Sequence, residues 1–122
     1  MAGSNRNFGK QAEQAACGFL EKKGYVIIER NYRTRFAEID IIARFKAFFV
    51  FIEVKARQGQ RKGSAREAVT LVKQKKISLG AAFYLRENNL GEVRTRFDVI
   101  AVTKIRNDFE IEHIENAFQF LI

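Results

Sequence analysis

Two runs of strand-forming residues lie close together in the chain, and both carry charges where a buried strand ordinarily carries none. The first reads Glu38-Ile39-Asp40-Ile41-Ile42-Ala43, the second Phe48-Phe49-Val50-Phe51-Ile52-Glu53-Val54-Lys55. Their β-branched and aromatic residues suit a pleated, half-buried surface. Side chains alternate faces along a strand, so Glu38 and Asp40 share one face, and Glu53 and Lys55 share another with Phe49 and Phe51. Arg44 to Ala47 make a four-residue loop between the runs, although they lack the Asn-Gly or Asp-Gly signal of a tight hairpin. An even-numbered loop sets even positions of the first strand against odd positions of the second, and all four charges then project to one side. An odd-numbered loop would separate the two sets.

Directly opposed Cβ atoms in such a hairpin lie only about 4.5–5.5 Å apart. Two carboxylates that close repel unless a proton or a cation intervenes, and buried charge is costly unless paired or metal-bound. A hard divalent ion such as Mg²⁺ suits the arrangement, because it takes oxygen ligands and keeps several waters. Lys55 is then placed to orient or activate a water, or to stabilise developing negative charge.

The positive charge of the chain begins at this motif. Of the formal net +8, nearly all falls between Lys55 and Lys76, where Lys55, Arg57, Arg61, Lys62, Arg66, Lys73, Lys75 and Lys76 face a single acid, Glu67. A basic segment of this kind is the footprint of a polyanionic partner; the plainer reading is a solvated helix face. Arg33 and Arg35 divide evenly between phosphate contact and solvation. The single histidine, His113, argues against three-ligand zinc chemistry and a histidine triad. No Gly-rich phosphate loop is present. The single Cys17 allows no internal disulfide. The polar start and the lack of a long apolar run predict a cytoplasmic protein without a signal peptide or membrane partner. The 122 residues, 47% hydrophobic with 12 Phe, predict one domain, 1–122, with one packed core.

The remaining chain frames the hairpin. Phe8 to Lys23 is predicted as a helix capped by Asn7 and Gly24, with an apolar stripe of Phe8, Ala12, Ala15, Ala16 and Phe19 and with Glu13 at its border. Tyr25 to Arg30 reads as a strand, Asn31 to Arg35 as a connection, and Ala56 to Gly63 as a polar loop. Ser64-Ala65-Arg66-Glu67 is a capping box opening a helix to about Asn88, its apolar face including Ala65, Ala68, Val69, Val72, Leu79 and Phe83. Lys76 projects from that face and Lys73 flanks it. Arg96 to Val102 is a strand parallel to the one before the helix, with Asp98 as a structural partner of Arg96 or a helix end. A turn at Asn107-Asp108 leads to a last strand, Phe109 to Ile114. The order αβββαββ predicts an α/β fold, a mixed sheet flanked by helices in three layers. Phe118, Phe120, Leu121 and Ile122 form an apolar tail that covers either the core or a partner subunit, which leaves a homodimer open.

Asp40 followed by Glu53-Val54-Lys55 resembles the PD-(D/E)XK nuclease pattern. The wider chain resembles the YraN-like family of predicted bacterial endonucleases through Gly9-x-x-x-Glu13, Asn31-Tyr32-Arg33, Glu38-Ile39-Asp40, Glu53-Val54-Lys55, Lys73-Gln74 with Lys76, Arg96-Phe97-Asp98-Val99 and Ala117-Phe118. It is more distantly similar to archaeal Holliday-junction resolvases, which set a helix glutamate, a strand aspartate and a Glu-x-Lys pair around a metal. Two positions depart from the pattern: Ala37 stands where the family usually has Gly, and Ile39 where the motif's name has Pro. The resemblance implies a restriction-endonuclease-like fold and Mg²⁺- or Mn²⁺-dependent hydrolysis of DNA, in preference to RNA, including branched or flapped forms. It implies Asp40, Glu53, Val54 and Glu13 as metal ligands and Asp40, Glu53, Lys55 and Glu38 as catalytic. Arg33, Arg57, Arg61, Lys62, Lys73 and Lys76 would then meet nucleic acid. Two other readings stand beside it. One is a nucleic-acid-binding module on the same fold with little or no catalysis; the other is a structural or interaction protein whose carboxylates form salt bridges.

Overall fold

The structure, a computed structural model, describes residues 2–59, 65 and 69–121. Its elements follow the expected order: α1 (Ala2–Lys22), β1 (Val26–Arg33), β2 (Glu38–Phe45), β3 (Phe48–Gln58), α2 (Leu71–Glu87), β4 (Arg94–Ile105) and β5 (Asp108–Phe118). The strands form one sheet in the order β1-β2-β3-β4-β5. All neighbours are antiparallel except β3 and β4, which pair in parallel from Phe48↔Arg94 to Gln58↔Lys104. A parallel pair needs a crossover, and α2 supplies it. The helices cover opposite faces, giving the α/β, restriction-endonuclease-like architecture. Among the described residues no helix is long and apolar enough to cross a membrane.

On one face Ala12, Ala16, Cys17 and Leu20 of α1 pack against Ile41, Val50, Ile52, Ile100 and Val102. On the other, Ile77, Ala81 and Tyr84 of α2 pack against Ile42, Phe51, Phe97 and Val99. The α1 stripe is thus rotated from the sequence expectation. Cys17 and Leu20 are buried, whereas Phe8 sits at the border and stacks on Phe109 at 6.5 Å. Asn7 lies inside α1 and caps nothing. Gly24 ends the helix as expected, with φ 96° and Tyr25 N–H donating to Leu20 C=O.

Several boundaries moved because partners extended the strands. β1 continues through Asn31, which takes φ 55°, because Tyr32 and Arg33 pair with Ile39 and Glu38 of β2. The β2–β3 turn is only Lys46-Ala47, since Phe45 pairs with Phe48. Two residues are still an even loop, so the predicted parity survives. β3 runs on to Gln58, and β4 and β5 are longer at both ends than predicted because they pair along most of their lengths. α2 starts later than expected. Thr70 is its N-cap, its hydroxyl accepting the Lys73 N–H at 3.2 Å. Val72 is exposed, while Ala65 and Val69 are buried ahead of the helix. The Ser64, Arg66 and Glu67 of the predicted capping box, and Ala68, lie outside the described residues. The described part of the C-terminal tail covers the core of its own chain: Phe118 stacks on Phe97 at 4.9 Å, and Leu121 N–H donates to Ser78 Oγ at 3.0 Å, while Ile122 lies outside the described residues.

Asp98 is structural, as expected. It is fully buried on β4 and accepts both Arg96 Nε at 2.9 Å and Arg96 Nη2 at 2.8 Å. The Asn116 N–H and His113 Nε2 complete its shell at 2.9 and 2.7 Å.

Candidate active site

The β2–β3 ladder starts at Phe45↔Phe48 and stops at Ile41↔Ile52. Past that point the strands part, and Asp40 bridges the gap with its side chain, Oδ2 accepting the Val54 N–H at 2.8 Å. The alternation of β2 breaks in the same place. Ile39 packs with Ile42 in the α2-side core, while Ile41 packs under α1. The charged ends of both strands therefore border an opening in the sheet, a cleft of ≈ 550 Å³ lined by Phe36, Ala37, Glu38, Asp40, Glu53, Thr70, Val72, Lys73 and Lys76.

Glu53 is the deepest of these groups, only 4% exposed. Its Oε2 lies 2.6 Å from Lys73 Nζ and 3.6 Å from Lys55 Nζ. Its Oε1 is buried without a hydrogen-bond partner among the described residues. Lys73 falls in the first turn of α2 on the stripe continued by Ile77, Ala81 and Tyr84, so docking of that stripe on the sheet aims it at Glu53. Burial opposes the Lys73 ammonium, but the Glu53 carboxylate, aided by Asp40 and Glu38, holds its pKa above the usual lysine value.

Burial, then the charge of Glu53, lifts Asp40 to about 8, against the opposing Val54 N–H. A hydrogen bond between the two carboxyl groups exists only when one of them carries a proton. This predicts a pH effect in metal-free protein. The folded-state pKa of Asp40 is raised, so its contribution to stability is complete below about 4, the unfolded value, and is lost as the pH rises through about 8. Asp40→Asn keeps an acceptor for Val54 and offers Glu53 a donor. The variant is expected to melt roughly 3–8 °C above wild type near about pH 9 and level with it only near about pH 4. Thermal melts in chelator at both pH values check this; an equal gap at both would refute it.

The donor set fits a hard, water-rich ion. Asp40 and Glu53 contribute carboxylate oxygens, one of them orphaned. In an extended strand a residue's N–H and C=O project to the same edge. The Val54 carbonyl therefore faces the same opening as the N–H that meets Asp40. Among the described residues no group of three or more His, Cys, Asp or Glu side chains gathers at one point.

The other expected residues divide. Glu38 lines the cleft, yet its Oε2 is held by Arg33 Nε at 2.6 Å, across the β1–β2 pair. Glu13 is ion-paired with Arg30 at 3.9 Å, although its charge is felt at Asp40. Lys76 lies exposed at the rim. Arg57 buries Nη1 without a hydrogen-bond partner among the described residues. Arg61 and Lys62 lie outside the described residues. Ala37 takes no left-handed conformation and bonds to Thr34 through both its N–H and its C=O, so the missing Gly leaves no strain. The sequence reading placed Lys73 on phosphate and missed its pairing with Glu53; its spacing to Ile77, Ala81 and Tyr84 was the available signal. A second hollow, at the far end of α2 beside Phe120, carries no carboxylate.

Comparison with known proteins places the chain in a family. Residues 12–102 match the model of the family described as "Uncharacterised protein family UPF0102". The chain is 55% identical to a UPF0102 protein of Desulforapulum autotrophicum over 119 residues, covering 98% of each chain. It is 46% identical to one from Desulfosudis oleivorans over 118 residues, covering 97% of this chain and 94% of the relative. It is also 42% identical to one from Clostridium botulinum, covering 94% and 96%. With matches of this extent and a restriction-endonuclease-like sheet opened at Asp40 and Glu53, the chain belongs to the UPF0102 family, the YraN-like branch of PD-(D/E)XK-like proteins.

Proposed function

We propose that this protein is a metal-dependent nuclease that hydrolyses phosphodiester bonds of DNA in the cytoplasm. One observation carries the reading: two facing carboxyl groups in a cleft, one of them almost fully buried with an orphaned oxygen, the other held to about 8 by burial and that neighbour. Such a pair is unfavourable unless a cation is part of the design. Asp40, Glu53 and the Val54 carbonyl would hold Mg²⁺ or Mn²⁺. The ion, when bound, supplies positive charge to phosphate oxygens that gain negative charge during hydrolysis. Lys55, whose Nζ lies 3.6 Å from Glu53 Oε2, would orient the attacking water. Arg33, Arg57 and Lys76, with Arg61 and Lys62, hold the nucleic-acid backbone.

A cleavage assay on duplex, forked, flapped and four-way DNA and on RNA, with Mg²⁺ or Mn²⁺, tests the proposal. Wild type is expected to cut at least one DNA, and Glu53→Gln none. DNA binding is expected to weaken steeply across a salt series, because each neutralised phosphate releases counterions. The second reading, a binding module without turnover, draws on the 2.6 Å Lys73–Glu53 pair, which neutralises Glu53 without any metal. Salt-dependent binding with no cleavage on the whole panel would favour that reading. A flat salt response would sink both.

A further inference from the structure

Among the described residues, the cation nearest Glu53 is not the motif lysine. Lys73 Nζ stands 2.6 Å from Oε2, a full ångström nearer than Lys55 Nζ at 3.6 Å. Lys73 comes from another element, the first turn of α2, whereas Lys55 is tied to Glu53 by their shared strand. The Lys73 side chain remains 44% exposed, so its flexible stem can leave Glu53 and swing into the cleft without unpacking the core. Thr70, Lys73 and Lys76 line that cleft at the start of α2, and the first helical turn contains no acid. Backbone N–H groups and lysines there favour an anion once Lys73 is released.

We propose that Lys73 is the resident counter-ion of Glu53 in the metal-free protein, that a divalent cation displaces it, and that the freed ammonium then takes a backbone phosphate of the nucleic acid. The inference rests on the reading of Asp40 and Glu53 as a metal pair. Its physical basis is exclusion. Two cations at one carboxylate repel, and the pairing of Glu53 Oε2 with Lys73 leaves only Oε1 unpartnered among the described residues. An ion entering between Asp40 and Glu53 weakens the hold on Lys73, and phosphate captures what is released. Metal and nucleic acid then bind cooperatively, and Lys73 is the residue that couples them.

Calorimetric titration with Mg²⁺ tests the displacement in wild type and in Lys73→Met, which keeps an apolar stem of similar length. The variant is expected to bind Mg²⁺ roughly fivefold tighter or more. With Ca²⁺ in place of Mg²⁺ to hold off cleavage, the metal should raise wild-type affinity for a labelled forked DNA. This gain should largely vanish in Lys73→Met and persist in Lys73→Arg. Equal or weaker Mg²⁺ binding by Lys73→Met, with wild type binding normally, overturns the inference while leaving the metal pair standing. No Mg²⁺ binding by wild type overturns both. Should Lys73→Met fail to fold, acetic anhydride labelling of wild type read by mass spectrometry decides the matter. Labelling of Lys73 is expected to rise on adding Mg²⁺, and unchanged labelling refutes displacement.

Discussion

Asp40→Asn and Glu53→Gln are each expected to lower metal-dependent DNA cleavage by on the order of 10²–10³-fold or more, while DNA binding holds or tightens. Both substitutions are close in shape to the residues they replace. The amide oxygen introduced by Asp40→Asn can still accept the Val54 N–H that Asp40 accepts at 2.8 Å. The amide introduced by Glu53→Gln retains an oxygen for Lys73 and Lys55. What each variant loses is a carboxyl group that can ionise where a divalent ion would bind. Glu53→Gln also removes a negative charge that repels incoming phosphates, so its affinity should tighten, whereas Asp40, raised to about 8, is largely neutral near about pH 7 without metal and its replacement should leave affinity unchanged. Lys55→Ala should match them in lost cleavage but should weaken binding, because it removes a cation. Single-turnover cleavage and fluorescence anisotropy on the same DNA measure the two effects. Carboxylate variants that cut as well as wild type would remove the pair from catalysis. Variants that unfold would return the charges to a structural role.

Asp98→Ala is expected to cost about 3–5 kcal/mol of stability, a fall in melting temperature of roughly 10–20 °C for a domain of this size. Asp98 is fully buried, and the Arg96 side chain that donates to it twice is only 11% exposed. That guanidinium also lies over the rings of Tyr25, Phe45 and Phe48 and donates to the Tyr25 hydroxyl. His113 accepts at Nδ1 from the Lys23 ammonium, 2.9 Å away, which leaves Nε2–H to donate to Asp98. Deleting the carboxylate leaves the largely buried guanidinium with only the exposed Glu115, 3.4 Å away, and the Tyr25 hydroxyl, and it strands two further donors. The double variant Asp98→Ala/Arg96→Met should recover part of the loss, since it also removes the stranded charge. Chemical denaturation of the three proteins measures this, and a single-variant cost within about 1 kcal/mol would refute the structural role.

Asp98, fully buried, and Asp40, half-buried, also respond oppositely to pH. Burial opposes the charge of both. At Asp98 the hydrogen bonds from His113 and Arg96 outweigh burial and hold the pKa below the usual value. Its stabilisation is therefore present above about pH 4 and is lost as the pH falls further. At Asp40 the nearest charged neighbour adds to burial, and stability declines toward alkaline pH instead. Nothing in Glu38-Ile39-Asp40 or Arg96-Phe97-Asp98 taken as local strings distinguishes these outcomes, beyond the arginine two residues from Asp98. The sign depends on which groups the fold sets against each carboxyl.

By itself the sequence determined the element order, the parallel pair across α2 and the convergence of Asp40, Glu53 and Lys55. Strand period and loop parity are local properties, and a four-residue or a two-residue loop alike puts Asp40 and Glu53 on one side by parity. The observed two-residue loop, with its ladder ending at Ile41↔Ile52, makes them the next pair in register, where a four-residue loop would have set Asp40 opposite Phe51. Only the tertiary structure decided where β1 ended, because pairing with β2 carried it through Asn31 against that residue's turn preference. It also decided which charges belong to the cleft. Glu38 went to Arg33 and Glu13 to Arg30, neither of which strand or helix period specifies. The Lys73–Glu53 contact arose from the docking of α2 on the sheet, with its start set at Thr70. Periodicity reports which face a side chain occupies; distance across the core depends on how far each helix slides and where it begins.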